Sequence, residues 1–271
     1  MKWLIITCDA TKKIVPAQNW LFEKYIKHSF DIIYVDLKSE NVKTWSSNIL
    51  NKVDHLDDEF IGFSLDDYLP IYKFDSENFE YMMTLMNNDS NIVRYELGQS
   101  FHPTSSNSFI VSSKKKSVKD DAFIVRELSQ EAGYRLSCQP SIWRVKYLFD
   151  KLNHCCSPWE FETAVSDKTK HDNKKIIMSD NRAAFKWIRH SALSAKWDKI
   201  NVLGLKLSDI KSLVSLHKLK EEDLQLGPWP SAPNFCDFGY DFKFEDLKSY
   251  NLKSIYGGYS GLHQQYGFNY K

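Results

Sequence analysis

Along the first quarter of the chain, apolar residues follow two patterns in turn: short continuous runs and spacing with a helical period. Residues 3–8, 30–35 and 59–65 are short apolar runs typical of buried strands. Residues 19–28 and 44–56 carry apolar side chains at helical spacing. This β-α-β-α-β order predicts a parallel sheet with right-handed crossovers. In open sheets of this kind, ligands bind beyond the carboxyl ends of the strands.

The rest of the chain continues the same mixture of elements. Further helices are predicted for residues 76–87, 141–152, 158–168, 184–194 and 207–219. Further strands are predicted for residues 91–97, 131–137 and 176–178, and an exposed loop for residues 100–119. We therefore predict an α/β fold with a central, mostly parallel sheet flanked by helices. Residues 1–205 are expected to form the main domain, and residues 206–271 a helical and Gly/Tyr-rich extension, either a lid or a frayed terminus.

Charge and cysteine content narrow the possible partners. A formal net charge of +1 gives no global electrostatic reason to bind nucleic acid or an anionic membrane. The five cysteines are odd in number and lack zinc-ligand spacing, which favours reduced thiols in a cytoplasmic protein. The apolar run at the N-terminus is too short for a signal peptide or a membrane span. We expect a cytoplasmic protein with no transmembrane segment and no nucleic-acid partner.

Two adjacent carboxylates, Asp66 and Asp67, end the third predicted strand and precede Tyr68. Carboxylates held this close repel each other, and a divalent cation relieves the repulsion while bridging to a diphosphate. Mn²⁺ or Mg²⁺ suits such an oxygen-rich site. The alternative is that both aspartates simply cap a turn, where Asp is favoured.

A second group of candidates follows residue 138. Gln139, Trp143 and Arg144 are candidates for binding acceptor hydroxyls or phosphate, although Trp143 is equally suited to the core. Pro158 is expected in the first turn of a helix, which places Glu160 and Glu162 at its positive end. Either glutamate can act as the general base that deprotonates an attacking sugar hydroxyl. Alternatively, both acids only interact favourably with the positive end of the helix dipole.

The order of three motifs resembles a group of GT-A-type glycosyltransferase-like proteins of bacteria and viruses. The motifs are Leu65-Asp66-Asp67-Tyr68, Gln139-Pro140-Ser141-Ile142-Trp143-Arg144 and Ser157-Pro158-Trp159-Glu160-Phe161-Glu162, and the resemblance covers residues 1–205. It implies a Rossmann-like nucleotide-sugar domain in which Asp66 and Asp67 hold a divalent metal against the donor diphosphate. It also implies that the later acidic motif supplies the base in inverting members, with Glu160 slightly favoured over Glu162. Tyr68 and Trp159 are then expected to contact substrate.

Other residues are candidates for the donor side of such a site. Asp9 follows the first predicted strand and can accept ribose hydroxyls or serve only in a turn. Arg126 and Arg135 can pair with a diphosphate through the guanidinium fork. By position, His263 is the candidate for a late metal ligand, with His190 as the other histidine available; a lone histidine is more often structural.

The expected activity is metal-assisted transfer of a sugar from a nucleoside diphosphate sugar to a hydroxyl of a glycan or lipid-linked saccharide, as in polysaccharide biosynthesis. An inverting reaction would use the base, whereas a retaining one needs none. A sugar nucleotidyltransferase is an alternative, although residues 8–13 lack the glycine-rich phosphate loop expected of it. A glycosidase would need carboxylates facing each other across a sugar. The non-enzyme alternative is a carbohydrate-binding or assembly protein with the same fold.

Overall fold

A computed structural model describes residues 1–26, 30–38, 43–53, 55–70, 74–97, 108–114, 123–179, 200–201, 205 and 207–225. The chain divides into two compact units. The first comprises Met1–Asp9, Ile26–Leu65 and Tyr72–Lys186, and the second comprises Ala10–Tyr25, Asp66–Ile71 and Trp187–Lys271.

An eight-stranded mixed sheet forms the centre of the first unit. Its strands are β1 (Lys2–Cys8), β2 (Asp31–Leu37), β3 (Phe60–Leu65), β4 (Ile92–Glu96), β5 (Ser108–Lys114), β6 (Phe123–Leu128), β7 (Ser141–Arg144) and β8 (Lys175–Ser179). They lie in the order β2-β1-β3-β7-β4-β8-β6-β5. The pairs β1–β2, β1–β3 and β4–β8 are parallel, and β6 and β7 run opposite to the other strands. The carboxyl ends of β1 to β4 and β8 therefore share one edge of the sheet.

Helices cover both faces of this sheet. On one face, α2 (Trp45–Val53), α4 (Val145–Leu152) and the helical residues 158–168 pack on apolar side chains of the sheet. On the other face, α3 (Ser76–Asn88) places Phe79 against Tyr95 of β4. The α/β fold with a central sheet flanked by helices is thus confirmed.

Residues 158–168 are one helical run with a change of pitch in the middle. An α-helical turn, α5 (Pro158–Glu160), is followed by a π-helical turn (Phe161–Val165) and by a second short α-helix, α6 (Ser166–Lys168). Phe161 is fully buried and contacts the rings of Trp45, Phe63 and Trp143, with centroids 5.9 to 6.4 Å away. This aromatic cluster fixes the helical run on the sheet.

The second unit contains α1 (Val15–Tyr25), α7 (Leu207–Ser215) and a short parallel pair, β9 (Ile200–Asn201) with β10 (Leu224–Gln225). Helices α1 and α7 are tied by Asp209, which is fully buried and accepts hydrogen bonds from Lys24 Nζ and Tyr25 Oη. A buried carboxylate needs such donors, since burying it alone costs several kcal/mol or more.

Three predicted elements differ from the structure. Residues 131–137, predicted as a strand, form turns, because Tyr134 adopts a left-handed backbone conformation (φ 54°). Residues 141–144, predicted as the start of a helix, form β7, because they pair with both β3 and β4. Part of the predicted loop 100–119 is β5, which pairs with β6, a strand that was not predicted.

Two further predictions fall wholly or partly outside the part of the chain that the structure describes. The predicted helix 184–194 and the remaining residues of the predicted loop 100–119 lie outside the described residues. The domain boundary at residue 205 stays a prediction. Among the helices of the described ranges, none is both long and apolar enough to cross a membrane.

Candidate functional site

The aspartate pair begins where β3 ends. Leu65 is the last residue of β3, and Asp66 and Asp67 follow it directly in the chain. Asp66 is 3% exposed, and Asp67 is partly buried. The Thr11 hydroxyl donates a hydrogen bond to Asp66 Oδ2. The first carboxylate of the pair is thus buried and held in a defined orientation.

Helix α1 holds the same short segment from a second point. The side-chain amide of Gln18, which is fully buried, donates a hydrogen bond of 3.1 Å to the carbonyl oxygen of Tyr68. Tyr68 itself is buried within the second unit. Asp66 is therefore fixed through its side chain and Tyr68 through its backbone, with Asp67 between them. Side chains fixed in this way are suited to binding a ligand without reorganisation.

The donor set of Asp66 and Asp67 fits a hard divalent cation. Mg²⁺ and Mn²⁺ prefer oxygen ligands, and Mg²⁺ typically binds one or two carboxylates and completes its shell with water and substrate phosphate. Within the described residues, no group of three or more His, Cys, Asp and Glu side chains is gathered as a metal site. Since Mg²⁺ typically takes one or two carboxylates from a protein, the pair suits a cation that is held jointly with phosphate and water. His263 and His190 lie outside the described residues.

Glu162 lies in the π-helical turn of the first unit. Its Oε1 accepts a 2.7 Å hydrogen bond from the backbone N–H of Cys138, three residues before β7. Burial raises the pKa of Glu162, although the Cys138 hydrogen bond and the charge of Arg94 act in the opposite direction. π-helical turns inside α-helices are frequent at functional sites. A buried carboxyl group with a raised pKa is a candidate for proton transfer.

Glu160 has a different local role. Ser157 is the N-cap of α5, and its hydroxyl accepts a 3.2 Å hydrogen bond from the backbone N–H of Glu160. Glu160 Oε2 in turn accepts a 2.7 Å hydrogen bond from the backbone N–H of Cys156. This reciprocal arrangement is a capping box shifted by one residue. The exposed Glu160 carboxylate thus stabilises the start of the helix, and the geometry favours Glu162 over Glu160 as a proton acceptor.

A buried cation, Arg94, lies on the same face of the sheet as the helical run. Its Nε donates a 3.0 Å hydrogen bond to Ser141 Oγ, and its Nη1 donates one of 3.0 Å to the carbonyl oxygen of Arg135. Its Nη2 is 3.7 Å from Glu96 Oε2. Arg94 and Glu96 are at most 2% exposed, and they occupy β4 at or near its carboxyl end. The positive charge of Arg94 lowers the pKa of Glu162, against the effect of burial.

Two other candidates, Trp143 and Arg135, have structural roles in the first unit. Trp143 is fully buried in the aromatic cluster, which is the packing alternative left open by the sequence. The buried guanidinium of Arg135 donates hydrogen bonds to the carbonyl oxygens of Ser129 and Lys174 at 2.8 and 2.7 Å. These bonds use the donors that a diphosphate would require.

Arg144 lies at the opposite edge of the sheet from the carboxyl ends of β3 and β4. It pairs in register with Phe60, the first residue of β3, because β7 runs antiparallel. Its guanidinium donates to the carbonyl oxygen of Ile92, pairs with Glu59 and stacks over the Phe60 ring. The Arg144 guanidinium is thus engaged by contacts within the protein, and we assign it no role in substrate binding.

Asp9, Gln139, Arg126 and Trp159 are the remaining candidates. Asp9 is exposed directly after β1, and its backbone N–H donates a 3.2 Å hydrogen bond to the carbonyl oxygen of Leu37. Gln139 is partly buried two residues before β7, and Arg126 is partly buried on β6. Trp159 is 61% exposed and lies in α5, three residues before Glu162.

Sequence reasoning missed three residues at these positions: Thr11, Arg94 and Glu96. Arg94 and Glu96 carried a signal, since charged residues inside an otherwise apolar predicted strand are rarely buried unless paired. Thr11 carried none, because its partner Asp66 is 55 residues away along the chain. Only the folded chain brings the two together.

No known protein family matches this chain, and no curated protein matches its sequence. Several solved structures are similar in fold. S. aureus TarS 1–349 in complex with UDP is 15% identical, with a TM-score of 0.39 over 69% of this chain and 60% of that one. A cytidylyltransferase from Leptospira borgpetersenii is 11% identical, with a TM-score of 0.38 over 68% and 76%.

A UDP-glucose pyrophosphorylase complexed with UDP-glucose is 12% identical to this chain, with a TM-score of 0.35 over 69% of this chain and 92% of that one. The chain spans 60% of the shorter TarS chain and 36% of the longer one. Identities and TM-scores this low assign no activity to the chain.

Proposed function

We propose that this protein transfers a glycosyl group from a nucleoside diphosphate sugar to a hydroxyl acceptor, with Asp66 and Asp67 binding a divalent cation. The observation that carries the proposal is the buried Asp66 carboxylate, which follows β3 directly and is held by Thr11. In open α/β sheets, ligands bind beyond the carboxyl ends of the strands, which is where this pair begins.

The electrostatics of the pair support a cation. A buried carboxylate is costly unless hydrogen bonds or an opposite charge compensate it. A second carboxylate on the next residue increases the negative charge of the segment. A divalent cation bound here would stabilise the negative charge that develops on a leaving diphosphate. Asp66 and Asp67 would hold that cation. The hydrogen bonds from Thr11 to Asp66 and from Gln18 to the Tyr68 carbonyl oxygen would keep this segment in place.

Glu162 is our candidate for the general base of an inverting reaction. Its raised pKa and its hydrogen bond from Cys138 leave it both oriented and able to accept a proton. The exposed indole of Trp159 suits stacking on an acceptor sugar, since planar aromatic rings pack well on sugar rings. The acceptor that we propose is accordingly a glycan or lipid-linked saccharide.

The donor site is tested by isothermal titration of a panel of nucleoside diphosphates and nucleotide sugars, with and without Mn²⁺. The wild type is compared with Asp66→Asn/Asp67→Asn, which keeps the shape of both side chains and removes their charge. A matched control is Asp57→Asn/Asp58→Asn, because this second adjacent pair precedes β3 instead of following it. Asp58 makes only a partly exposed ion pair with Lys2, so the control should fold.

We expect Mn²⁺-dependent nucleotide binding by the wild type and by the Asp57/Asp58 control, and its loss in the Asp66/Asp67 variant. Equal binding by all three proteins would contradict the assignment of the pair. A folded wild type that binds no nucleotide with or without Mn²⁺ would contradict the function itself. Donor binding without any transfer or hydrolysis would instead favour a carbohydrate-binding or assembly protein.

The base is tested separately by Glu162→Gln and Glu160→Gln. We expect Glu162→Gln to lower kcat by roughly 10²- to 10⁴-fold, the usual contribution of general base catalysis. Glu160→Gln should leave kcat nearly unchanged, because Glu160 caps the helix. Full activity in Glu162→Gln would exclude Glu162 as the base and would point to a retaining reaction or to another base.

A further inference from the structure

Thr11 is a buried residue at the start of a short 3₁₀ turn. It is 3% exposed and is the N-cap of the turn Lys12–Ile14, which leads into α1. Its carbonyl oxygen accepts a 3.0 Å hydrogen bond from the Ile14 backbone N–H, but its side chain makes no hydrogen bond that caps the turn. The Thr11 hydroxyl instead donates a hydrogen bond to Asp66 Oδ2.

We infer that Thr11 is a positioning residue that orients the Asp66 carboxylate for cation binding. This inference rests on the proposed function. A threonine hydroxyl has one proton to donate, and here the proton goes to Oδ2 of a carboxylate that is itself 3% exposed. The bond engages one named oxygen, and it restricts rotation of the carboxylate about its terminal torsion, which is otherwise broad.

The position of Thr11 in the chain makes this contact stable. Thr11 and Asp66 belong to the same compact unit, and Gln18 of α1 holds Tyr68 two residues after Asp66. The two contacts leave little freedom for residues 66–68 to shift relative to the start of α1. Partners that orient metal-binding side chains commonly contribute 10- to 100-fold to metal affinity, which is about the effect that loss of the Thr11 hydroxyl should have.

The test measures Mn²⁺ binding directly, from the loss of the electron paramagnetic resonance signal of free Mn²⁺. Mn²⁺ is titrated alone and with uridine diphosphate or guanosine diphosphate present. Thr11→Val removes the hydroxyl and keeps the branched shape, whereas Thr11→Ser keeps the hydroxyl. Thr169→Val is the matched control, since Thr169 is also buried and its hydroxyl donates a 2.7 Å hydrogen bond to the Ser166 carbonyl oxygen.

We expect Thr11→Val to weaken Mn²⁺ binding by about 10- to 100-fold. Thr11→Ser and Thr169→Val should bind Mn²⁺ as the wild type does. Thermal unfolding without Mn²⁺ separates orientation from stability: a structural role would lower the midpoint of Thr11→Val without changing its Mn²⁺ affinity once folded. Thr11→Ala provides a second test if Thr11→Val does not fold.

Failure of the inference about Thr11 and failure of the proposed cation site would give different results. Wild-type affinity in both folded Thr11 variants that lack the hydroxyl would overturn the role of Thr11 and leave the proposed function standing, provided that Asp66→Asn/Asp67→Asn loses Mn²⁺. Absence of Mn²⁺ binding by the wild type itself, alone and with either nucleotide, would overturn the proposed cation site together with the inference that depends on it.

Discussion

Gly62 shows how a single residue can be dictated by its neighbour across the sheet. It pairs in register with Trp3, whose indole covers it, and the Trp3 Nε1 donates a 3.0 Å hydrogen bond to Ser64 Oγ. A Cβ atom at residue 62 would lie 2.5 Å from Trp3 Cδ2, far inside van der Waals contact. Trp3 is fully buried, so its ring has little room to move.

We expect Gly62→Ala to lower the free energy of unfolding by about 1–3 kcal/mol, the usual cost of overpacking a core. Gly133→Ala is the matched control, because nothing lies within 4 Å of a Cβ atom at that residue. Urea denaturation followed by tryptophan fluorescence measures both. Equal stability of the two variants would show that the Trp3 ring yields to the added methyl group.

Glu162 makes stability depend on pH in a defined direction. Burial raises its pKa in the folded protein above the ordinary value of 4.5. A carboxyl group of this kind binds its proton more tightly in the folded state, so its stabilising contribution is complete below pH 4.5 and is lost as the pH rises through the folded-state pKa. Glutamine cannot ionise and removes this dependence.

The free energy of unfolding of the wild type should therefore fall relative to that of Glu162→Gln as the pH rises from 4.5. Urea denaturation at a series of pH values gives this difference. A difference that stays constant with pH, or that grows in favour of the wild type, would mean that the folded-state pKa of Glu162 is not raised.

At the scale of elements, hydrophobic periodicity predicts most of the described strands and helices, but not those that depend on pairing. Strands β1, β2, β3, β4 and β8 and helices α2 and α3 lie where apolar runs and helical spacing place them. Strand β7 does not, because residues 141–152 also fit a helical period. Its four residues become a strand only because β3 and β4 both offer them backbone partners.

The start of the helical run that carries Glu162 depends on its cap. Ser157→Ala removes the hydroxyl that accepts from the Glu160 backbone N–H, and we expect it to cost about 1 kcal/mol of stability. Ser47→Ala is the control, since the Ser47 hydroxyl is exposed and donates to a carbonyl oxygen instead of capping a helix. Thermal unfolding monitored by circular dichroism compares the two. Equal midpoints would show that Pro158 alone defines the helix start.

At the scale of the whole molecule, the second unit is assembled from distant parts of the chain. Asp209 of α7 lies 185 residues after Lys24 and 184 after Tyr25, and it accepts hydrogen bonds from both. Neither partner can be identified from sequence spacing. Burial of Asp209 together with its two donors is therefore a property of the tertiary structure.

Asp209→Ala should lower the free energy of unfolding by about 3 kcal/mol, near the lower limit for breaking a buried ion pair because Lys24 is partly exposed. Tyr25→Phe removes one hydrogen bond and should cost about 1 kcal/mol. Chemical denaturation of both variants measures the difference. If Asp209→Ala loses less free energy of unfolding than Tyr25→Phe, Asp209 does not stabilise the second unit through both of its donors.

The sequence by itself determined the α/β class, the strand that ends just before Asp66 and the helix that begins at Pro158, because periodicity, β-branched runs and capping residues act over a few neighbouring positions. Tertiary structure decided which polar groups meet: Thr11 with Asp66, Glu162 with the Cys138 backbone, and Arg94 with Glu96 and Ser141. It also directs the guanidinium groups of Arg135 and Arg144 to hydrogen bonds with backbone carbonyl oxygens. Apart from the pair Arg94 and Glu96 within β4, these contacts join residues far apart along the chain, so they depend on strand order and helix packing, which no local pattern encodes.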